Sequence, residues 1–342
     1  MSSFWSTQPV HRGDGDSRGV LKKDFEVVHT PIPLPPGYEW TTTFDVHQIR
    51  NLLHHSYVGD EWRLDYPVST LKWALHKNPE WNTGIKDETG KLVGFISGWP
   101  FRQRCGEEEF KCLESDLLCV HSKHRHLGLS PLLIRELARK AYTHGIFQAV
   151  ATSEGNLRNV KPFAKTTSWQ RPLDVKALER VGYYKSDRKN SNVFKVSGRS
   201  MLRRATEDDI PRMMDILNRY FAGHEVAPVA TESYVRRMLE MHTFIDDDED
   251  KLVSFYEVLN RNIHTNASVR TAYAYQIINA WDDAIILANN LKFEVFLTLN
   301  VRVGEDTLRR LKFIHTSEGP SYYMYNYAIP SMTPTECAIV LV

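Results

Sequence analysis

One order of elements runs through this chain twice, and that repetition limits the folds open to it. From Thr43 apolar residues recur at helical spacing, in Val46, Ile49, Leu52 and Leu53 and then in Leu71, Trp73, Ala74 and Leu75. Two β-rich runs follow, 92–99 and 117–120, with the charged turn Gly106, Glu107, Glu108, Glu109 between them, as in an antiparallel pair. A helix then starts near Ser130, a suitable N-cap with Pro131 behind it, carries Leu133, Leu137 and Tyr142, and stops at Gly145. Residues 146–152 return to a strand. The second half repeats this grammar. Thr206, with Glu207, Asp208 and Asp209 in the first turn, opens a helix whose apolar face is Ile210, Met213, Met214, Leu217 and Phe221. Strands are expected at 252–259 and 272–278, a helix at 281–289 and a strand at 293–299. Each half therefore predicts helices followed by a mixed sheet containing a β-α-β step. The polar stretch 185–198 divides them, giving units of 1–185 and 186–342. Ahead of both, Pro31, Pro33, Pro35, Pro36 and Gly37 enforce extended or turning backbone, which predicts an arm wrapped over the first unit.

Composition narrows the function. The chain has 342 residues and 42% hydrophobic content, enough for a large core, and its 43 Lys plus Arg against 42 Asp plus Glu give no field that would draw nucleic acid or an anionic membrane. Cys105, Cys112, Cys119 and Cys337 form no CxxC pair and no zinc spacing with histidine, which predicts a reduced compartment, the cytoplasm, and no structural metal. No apolar run approaches the length of a membrane span, so stable membrane insertion is not expected.

The strongest local feature joins the strand Asp116-Leu117-Leu118-Cys119-Val120 to the helix at Ser130 through His121-Ser122-Lys123-His124-Arg125-His126-Leu127-Gly128-Leu129. A strand, a basic glycine-containing loop and a helix N-terminus make an anion cradle, because unpaired N–H groups and the helix dipole point into the loop. Arg125-x-x-Gly128-x-Ser130 resembles the pyrophosphate loop of GNAT acyltransferases. Taken alone, the same loop also fits a solvated basic turn, and a GNAT acetyltransferase acting on small amines would need no more than this.

Longer stretches carry a more specific likeness. Phe4-Trp5-Ser6-Thr7-Gln8-Pro9-Val10 resembles the N-terminal signature of the N-myristoyltransferases, and Leu117-Leu118-Cys119-Val120-His121 followed by Pro131-Leu132-Leu133-Ile134-Arg135-Glu136 is similar to their central signature. Gly145-Ile146-Phe147-Gln148-Ala149-Val150, Lys91-Leu92-Val93-Gly94-Phe95-Ile96-Ser97, Tyr57-Val58, Arg63-x-Asp65-Tyr66, Leu311-Lys312-Phe313 and Tyr322-Tyr323-Met324-Tyr325-Asn326 match in the same order. The resemblance covers essentially the whole chain. It implies two GNAT-like halves with pseudo-two-fold symmetry around a continuous, saddle-shaped, mostly antiparallel sheet, the first half holding acyl-CoA and the second holding peptide.

The resemblance also implies roles. Backbone N–H groups of Leu117 and Leu118 would form an oxyanion hole for the thioester oxygen, and the α-carboxylate of Val342, ending the apolar run Ala338-Ile339-Val340-Leu341-Val342, would be the base for the attacking amine. That run by itself also fits a final strand. Asp116, where relatives usually carry asparagine, and Thr152 would hold the amine. Phe4, Trp5, Leu117, Leu118, Val120, Arg125, His126, Leu127, Gly128, Leu129 and Ser130 would contact acyl-CoA, with two fewer cations in the loop than relatives commonly carry. Tyr57, Val58, Asp60, Glu61, Trp62, Leu64, Tyr66, Gln170 and Leu341 would line the peptide groove. Gln170 stands where relatives commonly place a histidine. Cys119 adjoins His121, but nothing orients a nucleophile there, so it is expected in the core. The implied activity is transfer of myristate from myristoyl-CoA, a co-substrate rather than a resident cofactor, to an N-terminal glycine amine, by a monomer without metal. A silent acyl-CoA or peptide-binding relative is the alternative. Because the chain opens almost directly at Phe4 and Trp5, the basic extension through which some relatives are proposed to meet ribosomes is not expected.

Overall fold

The computed structural model describes residues 2–13, 17–57, 61–185 and 191–341. In chain order the strands of the main sheet are β1 (Tyr38–Thr41), β2 (Trp62–Asp65), β3 (Asn82–Asp87), β4 (Leu92–Cys105), β5 (Glu108–Val120), β6 (Gln148–Ser153), β7 (Ala164–Pro172), β8 (Arg203–Arg204), β9 (Val226–Pro228), β10 (His242–Ile245), β11 (Leu252–Asn262), β12 (Ser268–Ile278), β13 (Val295–Leu299) and β14 (Ile314–Tyr325). They form one sheet in the order β1-β3-β4-β5-β6-β14-β7-β13-β12-β11-β10-β8, with β9 added to β4 and β2 added to β11. Read from either end, an antiparallel hairpin meets a parallel strand: β4–β5 then β6, and β11–β12 then β13. The other pairings in this sheet are antiparallel.

The halves repeat the same topology and exchange their ends. β7 follows β6 in the chain but pairs with β13 and β14, while β14 follows β13 but pairs with β6 and β7. The short strands do the same, β2 crossing to β11 and β9 crossing to β4. The helices share a core in consequence. Ile49, Leu52 and Leu53 of α1 (Val46–Ser56) and Leu71 and Trp73 of α2 (Val68–Ala74) join one buried cluster with residues of the second half. Helix α3 (Leu129–Thr143) covers β4 and β5 through Leu129, Leu133 and Leu137. The second-half members of the shared cluster are Met213, Leu217 and Phe221 of α4 (Ile210–Phe221) and Val235 and Met238 of α5 (Glu232–Met238). Helix α6 (Trp281–Asn290) packs on β11 and β12 as α3 packs on its own hairpin.

Two expectations shift. Helix α3 begins at Leu129, not Ser130, because residues Ser122–Leu127 wind into a 3₁₀ turn and Gly128, with φ of 70°, takes the N-cap. Only glycine adopts that left-handed conformation freely, so no side-chain cap is made there. Within the described residues, 338–341 of the C-terminal apolar run form no strand. They run buried beside β9, Ala338 N–H donating to the Val226 carbonyl at 2.7 Å, with Ala338 fully buried and Leu341 8% exposed. Among the described residues no helix is long and apolar enough to cross a membrane.

Candidate active site

The site starts from a fault in a ladder. Opposite Phe95 and Ser97 of β4 lie Cys119 and Asp116 of β5, so Leu117 and Leu118 together face Ile96, which makes a β-bulge. Leu117 is forced to φ of 54°, a left-handed conformation costing a side chain of this kind roughly 1–2 kcal/mol. Ser97 Oγ donates to the Asp116 carbonyl at 3.2 Å and the Tyr57 hydroxyl donates to the Leu118 carbonyl at 3.1 Å, fixing the bulge on both sides. On the other edge of β5 the parallel ladder to β6 ends at Glu114 and Val150. Residues 115–118 are thereby released from that edge, and all four line a cavity of about 1390 Å³.

Both halves build the cavity. Thr152 of β6 stands opposite Tyr322 of β14, and both line it, as do Asp116, Leu341, Tyr256 and Asn260. A backbone hydrogen bond links Leu341 to the Tyr322 side chain, so the end of the described chain lies against the same wall as Thr152. One apolar flank is helix α3, with Ile134, Leu137, Ala138, Ala141 and Tyr142, roofed by Val28, Pro31, Ile32 and Pro33 of the arm. The arm is held by polar contacts its sequence does not announce. Ile32 N–H donates to Glu136 at 3.0 Å, and Arg139, paired with Glu136, donates to the Val28 and His29 carbonyls at 3.2 and 3.0 Å. Trp5 reaches the cavity too, and its buried Nε1 has no hydrogen-bond partner among the described residues.

The basic loop makes a second, smaller cavity of about 430 Å³ whose walls include Val120, His126, Gly128 and Ser130, with Tyr57, Leu118 and Arg125 shared with the first. Arg125 serves the loop itself: its guanidinium donates to the Val120 carbonyl at 3.2 Å and the Ser56 carbonyl at 2.7 Å, clamping the end of β5 to the end of α1. Leu129 is fully buried in the core under α3 and Leu127 packs on it, so of the expected loop contacts these two side chains turn inward. Phe4 is half-buried edge-on to Trp5 and is not a wall of either cavity.

Of the expected peptide contacts, Tyr57, Trp62, Leu64 and Tyr66 line the main cavity. Glu61 is turned aside, accepting from Asn262 Nδ2 at 3.1 Å, and Gln170 accepts from the Tyr183 hydroxyl at 3.3 Å away from the cavity wall. Val58, Asp60 and Val342 lie outside the described residues. Cys119 is core, 3% exposed, its thiol pushed up to about 11 by burial. Sequence reasoning passed over Tyr256, Asn260 and Tyr322, whose strand pattern reads as ordinary core. It also passed over the buried ion pair of Glu114 with Arg237.

The likeness to known proteins covers both halves. The family profile described as Myristoyl-CoA:protein N-myristoyltransferase, N-terminal domain, matches residues 20–164, and its C-terminal counterpart matches residues 184–339. The glycylpeptide N-tetradecanoyltransferase of Dictyostelium discoideum is 30% identical over 99% of this chain and 92% of its own length. The enzyme of the same name from Drosophila melanogaster is 29% identical over 99% of this chain and 80% of its own length. A crystal structure of Saccharomyces cerevisiae N-myristoyltransferase with bound myristoyl-CoA superposes with a TM-score of 0.89 at 22% identity, covering 99% of this chain and 94% of that one. With both family domains matched in order and relatives aligned nearly end to end, the chain belongs to the N-myristoyltransferase family.

Proposed function

We propose that this chain transfers a tetradecanoyl group from coenzyme A to the N-terminal glycine amine of protein substrates. The observation that carries the reading is the bulge at Leu117, a strained backbone held at the wall of a large cavity beside Asp116 and Thr152 in a member of this family. The thioester oxygen lies against the Leu117 and Leu118 N–H groups, which stay fixed as charge develops on it. Asp116 and Thr152 hold the incoming amine, and the Val342 carboxylate takes its proton. Support for the last role is the placement of Leu341, one residue earlier, in the cavity wall. The amine nitrogen bonds to the carbonyl carbon, the C–S bond breaks, and the departing sulfur takes up a proton to leave the coenzyme A thiol.

In the same reading the acyl chain lies along α3 under the arm, Trp5, packed edge-on against Phe4, closes its near end, and the phosphates rest on the loop around His126, Gly128 and Ser130. Arg125 shapes that loop more than it contacts phosphate, since it is already bonded to two carbonyls. Peptide enters past Tyr57, Trp62, Leu64 and Tyr66. The enzyme works as a single chain in the cytoplasm, a reading supported by four free, buried thiols.

Release of coenzyme A thiol from myristoyl-CoA tests this, measured with a glycine-starting peptide, an alanine-starting peptide and no peptide, beside acetyl-CoA. Release that needs both the long chain and the glycine is expected. Bound myristoyl-CoA with no peptide-dependent release contradicts the transferase and favours a silent binding protein.

A further inference from the structure

Behind the cavity wall lies an ion pair, Glu114 with Arg237, that the reaction as described does not use. Glu114 and Asp116 sit two apart on β5, so their side chains leave the same face of the strand until the bulge interrupts it. Glu114 is 4% exposed and does not line the cavity; Asp116 does. Arg237 comes from α5 in the other half, is 2% exposed, and donates to both Glu114 oxygens at 3.1 and 3.3 Å. Its guanidinium lies over the rings of Trp73 and Trp99, at 5.0 and 4.1 Å. The Asp116 carboxyl lies close enough to that of Glu114 to share a hydrogen bond with it once one of the two is protonated. Two carboxyl groups in such a bond need one proton between them, and Arg237 balances the single negative charge that remains.

We propose that Glu114, Asp116 and Arg237 form one positioning unit for the substrate's amine: Arg237 fixes Glu114, Glu114 accepts the Asp116 hydroxyl, and Asp116 turns its other oxygen to the cavity. Asp116 then offers the amine a neutral acceptor, as the side-chain amide of an asparagine would. It is not the base. A charged carboxylate at that place would hold the ammonium form and oppose the deprotonation that attack requires. The surroundings agree. Burial, then the charge of Glu114 and the hydrogen bond to it, raise the Asp116 carboxyl far above the usual carboxylate range, against the opposing pull of Arg237. Among the described residues its charge acts on the phenols of Tyr57, Tyr66, Tyr256 and Tyr322, all pushed upward mainly by burial and so present as neutral hydroxyls. Glu154 acts on Tyr57 and Tyr66 from the far side.

This rests on the transferase reading, and the experiment separates the two. Peptide-dependent thiol release is measured for the wild type, D116N, D116A, E114Q and E114Q/D116N across pH, with thermal melts to confirm folding. D116N, which keeps the shape and the neutral acceptor, is expected to lose less than about threefold in kcat, and D116A at least about tenfold, one hydrogen bond's worth. E114Q frees Asp116 to ionise and lowers kcat, and adding D116N recovers most of the loss. The ratio of D116N to wild-type kcat rises with pH as the wild-type carboxyl begins to ionise. Equal losses in D116N and D116A, or an E114Q defect that D116N does not relieve, overturn the proposal. If E114Q does not fold, the comparison of D116N with D116A decides it alone. Absence of release in the wild type would instead overturn the transferase reading.

Discussion

Leu117 holds a left-handed φ near the end of a strand, at the bulge on which the proposed oxyanion hole rests. The proposed role belongs to the amides, not the side chains: Leu117 is 5% exposed and its side chain packs in the main core cluster. Replacing the Leu118 N–H by an ester oxygen, with the side chain retained, removes one donor and little else. The expected outcome is a fall in kcat of about 10²–10³ with acyl-CoA affinity largely kept, read by single-turnover transfer and by a binding titration. A kcat within a few-fold of the wild type would take the oxyanion role away from this bulge. Nothing in the residue types at 116–118 announces a bulge, since leucine has no preference for positive φ. The resemblance singled out these two amides, and the bulge places their residues in the wall of the main cavity.

At the scale of elements, helices and hairpins were the legible part. Spacing at 46–53, 210–221 and 281–289 located α1, α4 and α6, because each has a clear apolar face and a usable start signal. Helix α4 shows how specific such a signal is. Thr206 and Asp209 form a capping box, and Arg203 pairs with Asp209 across it. The hydrogen bond from Arg203 holds the Asp209 carboxyl well below its ordinary range, with burial opposing. A depressed folded pKa stabilises above the unfolded value of about 3.9 and is lost as pH falls below it. D209A is therefore expected to lower stability by about 1 kcal/mol at neutral pH, and the gap from wild type should close in melts below pH 4. A gap independent of pH would mean that the charge contributes nothing. Strands β2, β7 and β14 were not legible as strands. Ala164-Lys165-Thr166-Thr167-Ser168 and His315-Thr316-Ser317-Glu318-Gly319 carry little apolar alternation, and their pairing depends on partners more than a hundred residues away. Propensity is a poor guide where the neighbour decides.

For the whole molecule, the exchange of β7 and β14 is the arrangement from which the cavity follows. Because each half ends inside the other, the bulge and Thr152 of the first half face Tyr256, Asn260, Tyr322 and Leu341 of the second within one space. The repeat of elements was visible in the sequence, whereas the exchange was not, since no local pattern records which edge a strand will join. The same exchange lets the C-terminal run pass beside β9 and arrive at the cavity wall. The role proposed for the Val342 carboxylate, taking the proton of the attacking amine, rests on that convergence. Its most direct test is single-turnover transfer by a chain extended a few residues beyond Val342, with myristoyl-CoA binding titrated in parallel. The account predicts transfer reduced by at least about 10² with binding nearly unchanged. Full transfer by the extended chain would contradict it and return the search for the base to the cavity wall.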